Sequence, residues 1–114
     1  MSKNAEKIAE LERLIDLVDH TLDVWPPMPP WNNDHSFEER ERQRKDHYAE
    51  CDRLVAGLTS ETGAKIDGSR PWEGSRISLA GIKSSCTGGT HGLLHNWKVA
   101  ARRRIEKLRA EIAA

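Results

Sequence analysis

The residues most able to do chemistry lie together in Ser84-Ser85-Cys86-Thr87-Gly88-Gly89-Thr90-His91-Gly92-Leu93-Leu94-His95-Asn96-Trp97. Adjacent glycines let the backbone turn sharply and approach a ligand with no Cβ in the way. A helix predicted to start at Gly89 or Thr90 would present up to four unpaired N–H groups and a partial positive charge. Hydroxyls on Ser84, Ser85, Thr87 and Thr90 complete what a phosphate needs. The same residues also suit a plain strand-to-helix turn in which Thr87 or Thr90 only caps the helix. The lysine of a P-loop is missing, because Gly88-Gly89 is followed by Thr90-His91, and no G-x-G-x-x-G is present.

Other chemistries fit these residues less well. His91 and His95 share a helix face, but zinc needs more ligands than they and Cys86 supply, and the glutamate of the zinc-protease motif is absent. Cys86 at a helix start with His91 as base would suit a nucleophile. No Asp or Glu between Glu73 and Glu106 is available to orient that histidine locally. Cys51 falls on an apolar helix seam, where a thiol is a small hydrophobe. No enzyme, metal or cofactor is therefore expected. Arg102-Arg103-Arg104 with Lys98, Lys107 and Arg109 forms a basic helix, yet the chain is neutral overall and its acidic half would repel a nucleic-acid backbone. For a small anionic ligand, Arg102 or Arg103 would suffice as a clamp.

Composition bounds the rest. The chain has 114 residues, with 18 basic and 18 acidic side chains. That is one domain, 1–114, or a unit that completes a modest core by oligomerising. Residues 1–61 carry a net −6 and residues 83–114 a net +5, so the two halves attract within or between subunits. No run approaches the roughly 18 apolar residues of a membrane span. The chain opens on a charged helical pattern instead of a signal peptide, and its two cysteines are too few for a disulfide framework. A cytoplasmic protein is the expectation.

The elements that must position the turn are mostly helical. Ile8, Leu11, Ile15, Val18, Leu22 and Trp25 recur at heptad spacing, widened by Leu14 and Leu17, and predict a helix over 2–25. Ser2 is its start signal. Pro26-Pro27-Met28-Pro29-Pro30 must end it. The Pro/Trp link over 26–33 is either a docking motif or a lid folding Trp25 and Trp31 back on the core. A second helix over 34–60, capped by Asp34 or Ser36, follows the stripe Phe37, Glu41, Arg44, Tyr48, Cys51, Val55, Leu58 and completes a long N-terminal helical hairpin. Residues 64–85 read as a hairpin of two short strands, Lys65–Gly68 and Arg76–Ile82, and 89–113 as a basic amphipathic helix. The fold class is mostly α with a small β-hairpin (α+β).

The segment Gly81-Ile82-Lys83-Ser84-Ser85-Cys86-Thr87-Gly88-Gly89-Thr90-His91-Gly92-Leu93-Leu94-His95-Asn96-Trp97 resembles the ending of small phage and prophage proteins. These have a strand, a Ser/Thr-Gly turn and a helix opening with a G-x-L-x-N-W-like run. Some resemble the Thoeris anti-defence sponge family, which sequesters cyclic nucleotide immune signals without cleaving them. The resemblance implies a homo-oligomer whose pockets take nucleotide phosphates on the turn, with Asn96 and arginines nearby. The expected ligand residues are thus Ser84, Ser85, Thr87, Gly88, Gly89, Thr90, His91, Asn96, Arg102 and Arg103. The expected function is non-catalytic capture of an anionic nucleotide. The competing expectation is an oligomeric protein-binding inhibitor or assembly protein with no small ligand.

Overall fold

A computed structural model describes residues 2–30, 32–68, 70 and 73–114. Its order is α1 (Lys3–Asp23), α2 (Phe37–Thr62), β1 (Lys65–Asp67), β2 (Ser75–Leu79), β3 (Ile82–Cys86) and α3 (Thr90–Ala113). The chain is mostly α with one small antiparallel sheet of order β1-β2-β3.

Local chemistry sets the helix limits. The Ser2 hydroxyl accepts from Ala5 N at 3.1 Å, and the Ser36 hydroxyl accepts from Glu39 N at 3.1 Å, so each satisfies a donor that the first turn leaves open. α1 stops at Asp23, just before the proline run. α2 ends on Gly63, whose φ of 75° is the left-handed cap that glycine adopts without a Cβ penalty.

The sheet has three strands where two are expected. Register pairs Leu79 with Ile82, leaving Ala80-Gly81 as a two-residue turn with φ of 54° and 78°. Positive φ at both central residues is the hairpin turn whose twist matches antiparallel strands, and its usual signal is Asn-Gly or Asp-Gly. Ala-Gly hides it, so Arg76–Ile82 reads as one strand and Ser84-Ser85-Cys86 as loop. Lys7 Nζ donates to the Ala80 carbonyl at 2.8 Å and fastens that turn to α1.

The core forms around α3. Its Leu93, Leu94, Trp97, Ala101, Ile105 and Leu108 pack with Leu11, Leu14, Ile15 and Val18 of α1, with Ile77, Leu79 and Ile82 of the sheet, and with Leu58 and Ala64. α1 returns through the proline link into α2, as a hairpin requires, but its long antiparallel partner is α3. Asn4 donates to Glu111 at 2.9 Å, Arg109 to Glu12 at 2.7 Å, and Lys98 to Asp19. The acidic and basic halves of the sequence thus neutralise one another within a single subunit. α2 reaches the core through its C-terminal half, where Cys51 and Leu58 are buried, while its first turns stand in solvent. The molecule measures 62 × 22 × 20 Å as a result. Among the described residues no helix is long and apolar enough to cross a membrane.

Trp97 is fully buried and its Nε1 donates to the Leu79 carbonyl at 3.3 Å, joining α3 to β2. Trp97→Ala should lower stability by about 3–5 kcal/mol, the usual cost of emptying so large a core position. Urea unfolding would show this as a lower midpoint, with Trp97→Phe intermediate.

Candidate functional site

The turn after β3 is built around one strained glycine. Gly89 precedes α3 with φ 91° and ψ −176°, a region that glycine almost alone occupies. Gly89, as the N-cap residue, has no side chain with which to cap the helix. Gly88, the other expected hinge, has no positive φ, and an added Cβ would meet Cys86 Sγ at an ordinary 3.4 Å. Gly92 is under more constraint: a Cβ there would come 2.8 Å from the same sulfur. Cys86 Sγ also accepts from Gly88 N at 3.2 Å. Its surroundings are those of a packing atom folded under the turn.

That helix start is one wall of a cleft of about 340 Å³, bounded by Gly88, Gly89, Thr90 and His91. The proline link gives the second wall through Trp25, Pro26 and Met28, and α2 gives the third through His47, Tyr48 and Cys51. Trp25 packs on the core and stands with its ring centroid 6.0 Å from that of His91. The near end of the proline link thus folds back onto the body; Trp31 lies outside the described residues, as do Pro71 and Trp72. Tyr48 carries the Arg70 guanidinium 4.2 Å over its ring, and Arg70 is held by Asp52 through bonds of 2.9 and 3.0 Å.

His47 is the informative side chain of the α2 wall. Its Nε2 lies 3.6 Å from Cys51 Sγ, and its Nδ1 is, among the described residues, the one buried side-chain polar atom with no hydrogen-bond partner. Burial, reinforced by Asp52, pushes the Cys51 thiol up, so the sulfur stays protonated at neutral pH. A buried polar atom without a partner is costly, and a bound molecule would complete its bond.

The ten expected residues do not share this cleft. Gly88, Gly89, Thr90 and His91 line it, and the rest point elsewhere. Ser84 and Ser85 are consecutive residues of β3 and face opposite sides of the sheet. Ser85, Thr87 and Asn96 border a separate shallow hollow with Glu73 and Arg76. Asn96 Nδ2 is occupied in donating to the Ser85 carbonyl at 3.1 Å, which anchors α3 to β3. Arg102 stands some 18 Å along the helix from Thr90, at about 1.5 Å per residue, and Arg103 lies further still. Arg102 Nη2 lies 4.0 Å from Asp19 Oδ2, beside the Lys98 ion pair. The arginine clamp therefore belongs to the α1–α3 seam. Among the described residues no group of three or more His, Cys, Asp or Glu stands close enough to hold a metal ion.

His47 and Tyr48 are not legible as site residues from the sequence, and Trp25 is legible only beside a link that is either a docking motif or a lid. Trp25 reads as the end of a core stripe, and Tyr48 as a polar-flanked position on a helix seam. Comparison with protein-family models, with curated proteins and with solved structures found no match to this chain.

Contact between Gly92 and Cys86 makes a sharp prediction. Gly92→Ala should destabilise despite the roughly 1 kcal/mol that alanine gains in a helix, because overpacking costs about 1–3 kcal/mol. With Cys86→Ala the sulfur is gone, and Gly92→Ala should then stabilise. A double-mutant cycle by chemical denaturation reads the change of sign.

Proposed function

We propose that the chain is a non-catalytic binding protein that holds an anionic nucleotide in the cleft between the start of α3 and the proline link. One observation carries this reading. A helix start whose N-cap is Gly89, in a backbone region that glycine almost alone occupies, forms one wall of a cleft whose other walls carry the rings of Trp25, His47 and Tyr48. Backbone N–H groups at a helix start suit phosphate. Aromatic faces suit a base, at about 1–3 kcal/mol per stacked base. The buried Nδ1 of His47 adds a polar atom that lacks a partner. A cleft of about 340 Å³ is near the lower end of ligand sites, which run from about 300 to 1,000 Å³, and fits one base with its phosphate.

Capture of a cyclic immune signal, as in phage anti-defence sponges, is the narrower form of this proposal. It rests on the resemblance of Gly81–Trp97 to the endings of small phage proteins. The alternative is a protein-binding inhibitor or assembly protein. What favours it is exposed apolar surface at Val24 and Met28, beside the cleft.

A thermal-shift panel of adenosine and guanosine mononucleotides, their cyclic forms and inorganic phosphate tests the reading. A bound nucleotide should stabilise the fold by about 2.7 kcal/mol at a hundredfold excess over its dissociation constant. Gly88→Asp places a carboxylate beside the helix start, where it should raise stability by about 0.3–1 kcal/mol while repelling the phosphate. Higher melting temperature with lost nucleotide response is the expected signature. Trp25→Ala should weaken binding tenfold or more through lost stacking, at about 1.4 kcal/mol per factor of ten. Arg102→Gln should leave affinity unchanged. No response to any nucleotide would favour the protein-binding alternative.

A further inference from the structure

The stripe on α2 continues past the part that the fold uses. Phe37, Glu41, Arg44, Tyr48, Cys51, Val55 and Leu58 follow the spacing of a coiled-coil seam. Its lower end is covered by the body, with Cys51 at 6% and Leu58 at 4% exposure. Its upper end is bare: Phe37 is 70% exposed, and the side chains of Glu41 and Arg44 are 53% and 54% exposed. Glu41 and Arg44 stand 3.7 Å apart in one chain, a loose solvent-screened pair of small worth. A 26-residue helix extends about 39 Å, and its free end accounts for much of the molecule's length.

We infer that two copies of this chain pair antiparallel through this free half of α2. With the two-fold axis beside Arg42 and Gln43, Phe37 of one copy faces Tyr48 of the other, and Glu41 faces Arg44. Each pair then occurs twice by symmetry. Glu38 and Lys45 flank the same edge of the seam and meet each other across the axis, adding two more opposite-charge pairs. A parallel pairing would set Glu41 against Glu41 and Arg44 against Arg44, which like-charge repulsion disfavours. The polar middle of the stripe is therefore complementary to itself in one orientation only, and this argues for a second copy as the occupant. Tyr48 enters the pairing already ordered, since Arg70 covers its ring and Asp52 holds Arg70. Tyr48 borders both the seam and the nucleotide cleft, whereas Phe37, Glu41 and Arg44 line no wall of that cleft, so variants at Glu41 and Arg44 test the pairing separately from the nucleotide reading.

The contact spans about 16 Å of helix, which makes it smaller than a standard interface. Sedimentation equilibrium of the full chain near ~100 µM, a range suited to such an interface, should show a dimer. Glu41→Arg or Arg44→Glu, each alone, should raise the dissociation constant at least tenfold. An equimolar mixture of the two variants should restore a dimer, because every arginine of one chain then meets a glutamate of the other. Both positions are exposed, so far-UV circular dichroism should be unchanged, and a role confined to the intrachain pair would leave the association state untouched. A monomeric parent chain at ~100 µM, association that survives both single variants, or a mixture that stays monomeric would overturn the proposal.

Discussion

Trp97 must be buried on two sides at once, and the rest of the molecule follows from that requirement. The small sheet needs cover for its buried face, and α1 carries too broad an apolar face to stand in water. α3 settles both by lying against each, with the indole N–H bonded to the Leu79 carbonyl so that burying a large polar-tipped ring costs no hydrogen bond. The same arrangement draws the basic residues of α3 toward the acids of α1. Lys98, Arg102 and Arg109 are spent along that seam. The start of α3, capped by a glycine with no side chain, lies toward the opposite end of the helix from that seam's arginines.

Features set within a few residues were readable from the amino-acid order. Ser2 and Ser36 act where they stand, through one side-chain bond each, so the starts of α1 and α2 are readable closely. The stripe of α1 was readable for the same reason, since 3.6-residue periodicity reports a buried face whatever covers it. What covers it was not. The expected partner of α1 was α2, next along the chain, yet the apolar half of α2 is too short to cover α1, and α3 brings a longer face with complementary charge. The third strand is not legible in the sequence, because Ala80 takes a left-handed turn position without the residue types that announce one.

The candidate site was half readable. Gly89 and Thr90 stand where a strand-to-helix turn needs them. Ser84 to Arg103 do not form one unit in space. A strand sends alternate side chains to opposite faces, and a helix carries its residues steadily away from its start. The other walls come from Trp25, His47 and Tyr48, distant in sequence and joined to the turn only by the return of the proline link. No local pattern encodes that meeting. The unpartnered Nδ1 of His47 is the kind of polar irregularity that folding tends to remove unless function retains it.

The proposed nucleotide cleft joins the start of α3 to the link before α2. An ¹⁵N-resolved amide titration with mononucleotides tests it directly, since it reports each wall separately. Binding in this cleft should give concerted, saturable shifts at Gly89, Thr90, His91 and the Trp25 indole, with the amides around Arg102 to Arg109 unmoved. Saturable shifts confined to the basic turns of α3, or none at any of these positions, would contradict it.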